Sequence, residues 1–73
     1  MKLFSASDAT ELKETECIGI SASPEDLRAI AQFLSSSADE LEEMGDDFGH
    51  LHLMDEWEGW KNSYPDIQVF NNT

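Results

Sequence analysis

A chain of 73 residues with 16 acidic and four basic side chains carries a net charge of −12. That length confines it to one domain, 1–73, which buries only ~60% of its unfolded surface, so grooves and faces replace deep enclosed pockets. The charge disfavours nucleic acid and anionic membranes as partners and favours basic proteins, and 40% hydrophobic content argues against disorder.

"KLFSA" (2–6) is a candidate first strand, and "SDATELK" after it is a polar connection of hairpin type. "ECIGISA" (16–22) alternates, with Ile18, Ile20 and Ala22 on one side and Cys17, Gly19 and Ser21 on the other. The spacing then predicts a helix over 24–44. Its apolar stripe is read as Leu27, Ile30, Ala31, Leu34, Ala38 and Leu41. Ser23 suits the N-cap, Pro24 the first helical position and Gly45 the C-terminal stop. Such a helix is ~30 Å long. Its last stretch, "DELEEMGDD", crowds Asp39, Glu40, Glu42, Glu43, Asp46 and Asp47 at the negative end of the helix dipole. That placement is locally unfavourable, and a basic partner would offset it.

Two further strands follow. "GHLHLMD" (49–55) sets Leu51 and Leu53 against His50, His52 and Met54, and "PDIQVFN" (65–71) sets Ile67 and Val69 against Gln68 and Phe70. The expected architecture is α+β: a small, mostly antiparallel sheet of three to four strands with one long helix on one face, in the order β-β-α-β-β. The aliphatic sets should face the helix. Cys17, Gly19, His50, His52, Met54, Gln68 and Phe70 should then form an uncovered face.

The lone Cys17 excludes an intramolecular disulfide. "MKLFSASDAT" lacks the apolar run of a signal peptide, and nothing approaches the ~20 apolar residues of a membrane span. A reducing, cytoplasmic setting is the expectation.

The segment "HLHLMDEWEGW" (50–60) concentrates both histidines and both tryptophans. Histidines at i and i+2 on a strand project together, ~6.6 Å apart at Cα, so with Cys17 they are a candidate metal set: Cys17, His50 and His52. Cys17 beside an imidazole would also be a nucleophile–base pair. A reactive thiolate needs positive surroundings, however, and these are acidic, so no enzyme activity and no cofactor are expected. Docking fits better. Trp57, Trp60 and Tyr64 are typical interface anchors, and Asp55, Glu56, Glu58 and Asp66 beside them suit a basic target. In so short a chain at least one tryptophan is expected to close the core edge.

"ISASPEDLRAIAQFLSSSADELEEMGDDFGHLHLMDEW", followed after a polar loop by "PDIQVFNN", resembles the immunity protein 32 family of bacterial polymorphic toxin systems. The likeness runs over about residues 14–71. It lies in the Ser-Pro-Glu helix start, the acidic helix end, the His-x-His strand and the Pro-Asp-Ile strand. His50, His52, Trp60, Pro65 and Asp66 match the family's pattern. The resemblance implies an α+β protein that binds and neutralises a toxin encoded beside it. The expected partner is therefore a basic toxin domain. The expected contacts are His50, His52, Asp55, Glu56, Trp57, Glu58, Trp60, Asp39, Glu40, Glu43, Asp46 and Asp47. The alternatives are a metal-binding protein and a homodimer joined through the open sheet face.

Overall fold

The computed structural model describes residues 1–5 and 17–71. The polar connection expected after the first strand lies outside these residues. The protein is α+β. Its elements are β1 (Lys2–Ser5), β2 (Ile18–Ser21), α1 (Pro24–Met44), a 3-10 turn (Gly45–Asp47), β3 (His50–His52), the single turn α2 (Leu53–Glu56) and β4 (Gln68–Phe70).

The helix has the bounds its end signals specify. Ser23 Oγ accepts the Asp26 N–H at 3.1 Å, satisfying one of the donors that a helix start leaves unpaired. Gly45 ends it with φ 55°, and its N–H reaches the Leu41 carbonyl. A side chain is disfavoured at that φ, which explains the glycine. Asn71 Nδ2 then donates to the carbonyls of Gly45 (3.0 Å) and Phe48 (3.3 Å), tying the helix exit to the end of β4.

The buried face of α1 differs from the expected stripe. Ile30, Phe33 and Ser37 are buried, whereas Leu27 and Leu34 are 44% and 47% exposed. Ala31 and Ala38 are exposed too. The inward stripe is thus Ile30, Phe33, Ser37 and half-buried Leu41, turned partly around the helix from the one read in the sequence. Phe33 has the largest apolar area to bury. Ser37 tolerates burial because its Oγ donates to the Phe33 carbonyl at 2.7 Å.

The strands do not form one sheet. Among the described residues they make two separate antiparallel ladders, β1–β2 and β3–β4. In the first, Lys2 pairs with Ser21 and Ser5 with Ile18. In the second, His50 pairs with Phe70, Leu51 with Val69 and His52 with Gln68. The expected inward set of β2 is not buried either: Ile18 is 64% and Ile20 45% exposed, and only Gly19 within the strand and Ala22 beyond it are half-buried. Period-two alternation separates two faces without saying which is inner, and a shift of one residue exchanges them. The helix is covered instead by residues from the second ladder.

The expected strand over 49–55 stops at His52. The cause is Asp66, whose Oδ1 accepts the Met54 N–H at 3.0 Å. That hydrogen bond caps α2, whose own N-cap residue His52 makes no side-chain cap. Leu53 N–H still reaches the Ile67 carbonyl at 2.8 Å, so the chain leaves the ladder one residue later and begins to coil. The turn drives Leu53 into the core, where it is 0% exposed against Ile30 and Phe33. Burying it contributes about 1.5–3 kcal/mol. Leu51, Ile67 and Val69 pack around this cluster as expected, with Met1, Trp57 and Trp60.

Candidate protein-docking site

Helical spacing places Ala29, Gln32, Phe33, Ser36, Ser37 and Glu40 along one side of α1. Opposite them lie Leu51 from β3, Glu56 from α2 and Trp57 just beyond it. Between the two walls runs an open groove of about 350 Å³, with Asp39 also in its lining. Phe33, Leu51 and Trp57 give it an apolar interior. Asp39, Glu40 and Glu56 bring carboxylates from two different elements, and no lysine or arginine lines it.

Trp57 is fixed from several directions. Its backbone N–H bonds to the Leu53 carbonyl at 3.0 Å. Its ring stacks on Tyr64, with centroids 5.8 Å apart and planes 25° from parallel. Gly59 closes against the indole: a Cβ there would stand 2.7 Å from Trp57 Nε1. Any side chain at position 59 would therefore displace the groove wall.

Of the twelve expected contact residues, this groove gathers Asp39, Glu40, Glu56 and Trp57. Glu43, Asp46, Asp47, Asp55 and Glu58 are exposed outside it. Trp60 is half-buried on the core, and its Nε1–H donates to the Pro65 carbonyl at 3.2 Å. Both tryptophans therefore pack at the core edge.

The histidines divide as well. His50 is exposed on the open face of the β3–β4 ladder, stacked on Phe70 at 5.7 Å and edge-on to His52 at 4.9 Å. Half-buried His52 turns inward along the chain: its Nδ1 lies 2.6 Å from Asp66 Oδ2 and donates to it. Asp66 thus holds two donors, the His52 ring and the Met54 amide. The open face expected for His50, Gln68 and Phe70 is present, all three being exposed. No group of three His, Cys, Asp or Glu residues able to hold a metal ion occurs among the described residues, so Cys17 does not join His50 and His52. The candidate set of Cys17, His50 and His52 is not assembled because Cys17 precedes β2, which pairs with β1 and not with β3.

Sequence reasoning missed Ala29, Gln32, Phe33, Ser36, Ser37 and Leu51 as groove residues. The spacing of Ile30, Phe33 and Ser37 held the available signal, but Phe33 and Ser37 fell outside the stripe read in the sequence.

Replacing Asp66 with alanine is expected to cost about 1–3 kcal/mol, since it removes a carboxylate that accepts from two donors. His52→Ala should cost less, and a double-mutant cycle should show coupling of about 0.5 kcal/mol or more. Urea unfolding of the three variants measures this. Equal costs for the two single variants would remove the capping role given to Asp66.

The fold is a small acidic α+β domain with an acid-lined groove, and no group of three metal-ligating side chains is assembled among the described residues. A family model described as immunity protein 32 matches residues 18–72. The chain belongs to the immunity protein 32 family. Membership indicates a toxin-neutralising role and a protein partner, and such proteins are generally non-enzymatic. No curated protein and no solved structure matches the chain significantly. None of the described helices is long and apolar enough to cross a membrane.

Proposed function

We propose that this protein neutralises a cognate bacterial toxin by seating its acidic groove against the toxin's basic active-site region. The observation carrying this reading is an aromatic groove lined by Asp39, Glu40 and Glu56 and by no cation, in a member of an immunity family. A toxin that acts on a polyanion needs a basic cleft, and carboxylates aligned against that cleft compete with its substrate. Burial of Trp57 and its neighbours would supply short-range affinity, and the −12 charge would speed encounter. The protein needs no catalytic group for this action. The remaining acids, Glu43, Asp46, Asp47, Asp55 and Glu58, act in this reading as long-range steering charge.

The test is co-expression with the cognate toxin domain, sought first in the gene beside this one. Restored growth and a complex that survives gel filtration are expected. Continued growth arrest with no complex would overturn the reading. Self-association through the β3–β4 face is a separate proposal, favoured by Phe70 being 46% exposed beside His50. Sedimentation at micromolar concentration distinguishes a dimer from a monomer.

A further inference from the structure

The groove's lining carries its chemistry further than a basic partner in general. We infer that it receives a single arginine side chain from the partner, an inference that rests on the toxin-binding reading above. Its volume of about 350 Å³ falls at the lower end of the roughly 300–1,000 Å³ range of small-ligand pockets. That is room for one long side chain of the partner.

The lining is amphipathic in the order an arginine needs. Ala29, Phe33 and Leu51 offer an apolar track for the aliphatic stem. Trp57, already held by Tyr64 and Gly59, adds an aromatic ring to the lining that a guanidinium can approach. Asp39 and Glu40 from α1 and Glu56 from α2 supply acceptors, and Gln32 and Ser36 complete the polar lining. Gln32 Nε2 and Ser36 Oγ already bond each other at 3.2 Å, which steadies that wall.

Lysine fits the same charge but not the same shape. Its ammonium is compact and strongly hydrated, whereas guanidinium is planar, weakly hydrated and able to stack while donating in its plane. An aromatic wall beside carboxylates from two elements selects for the second. An uncharged apolar side chain would fill the interior but leave the carboxylates without a counter-charge. The groove therefore discriminates by residue type, not by net charge alone.

The test needs no toxin. The full chain is ¹⁵N-labelled and titrated with N-acetyl-arginine amide, N-acetyl-lysine amide and N-acetyl-leucine amide at constant ionic strength. The Trp57 indole N–H signal is assigned with a Trp60→Phe variant. The arginine compound should shift the Trp57 indole and the Gln32 and Ser36 amides saturably, and bind at least about threefold more tightly than the lysine compound. A Glu40→Gln/Glu56→Gln variant should weaken it about fivefold. Both carboxylates are on exposed residues, so that variant keeps its fold, and an unchanged amide spectrum verifies it. Non-saturating shifts, equal lysine binding or indifference to the double variant would each overturn the arginine assignment. Such a result with the toxin complex intact rejects only this pocket chemistry. Saturable arginine binding with no toxin complex upholds the pocket and rejects the partner.

Discussion

Leu53→Ala should remove a large share of the fold's stability. Leu53 is 0% exposed and joins α2 to Ile30 and Phe33 of α1. Removing a buried leucine side chain costs about 2–5 kcal/mol, the transfer term plus the cavity left behind. A chain of 73 residues has about 4–11 kcal/mol of stability at the usual 0.05–0.15 kcal/mol per residue. The loss is therefore comparable with the whole. The matched control is Leu34→Ala on the other side of the helix, where the side chain is 47% exposed. That change removes the same atoms from a wetter place and should cost under about 1 kcal/mol. Urea midpoints followed by circular dichroism compare the two. A larger loss for Leu34→Ala would mean that the stripe containing Leu27 and Leu34 faces the core after all.

The second large effect concerns association. Reversing Glu40 and Glu56 to lysine should slow binding to the basic toxin domain by about tenfold or more at low salt. The gap should narrow as salt rises, because the screening length falls from ~30 Å at 0.01 M to ~8 Å at 0.15 M. Glu43 and Asp47, exposed and outside the groove, provide a control with the same change in net charge. Reversing that pair should slow association less and leave dissociation nearly unchanged, since in the proposed complex only the groove pair touches the partner. Stopped-flow traces across ionic strength separate the two terms. Identical behaviour of the two variants would reduce the groove to one part of a diffuse acidic surface.

How much of this was legible in the sequence depended on what fixes each feature. The ends of α1 were legible because capping is local: Ser23, Pro24 and Gly45 act within one turn of themselves. The inward face of α1 was not, because the stripe of Leu27 and Leu34 is as periodic as that of Ile30, Phe33 and Ser37. Only the arrival of Leu53, delivered by a carboxylate twelve residues from Met54, decides between them. The same long-range bond ends β3, which alternation alone extends through Met54.

The residues behind the family resemblance lie largely in this framework. His52 bonds Asp66 and Trp60 bonds Pro65, so these four pair with each other within the fold. Motif residues of that kind report how the fold is held, and only indirectly what it binds. The groove was only partly foreseen for a related reason. Asp39, Glu40, Glu56 and Trp57 stood out by charge and size, but their common location depends on α2, whose single turn has no signal in its own residues. Gly59 is intelligible only once the Trp57 indole lies against it.

In the proposed complex the partner sits over the groove between α1 and Trp57. Cross-saturation NMR on the complex with the cognate toxin domain, with this chain labelled and the toxin irradiated, reads that surface residue by residue. Intensity loss is expected at Gln32, Ser36, Glu40, Leu51 and Trp57, with His50, Gln68 and Phe70 retaining theirs. Loss confined to His50, Gln68 and Phe70, with Gln32, Ser36 and Trp57 untouched, would put the partner on the β3–β4 face and overturn the groove proposal.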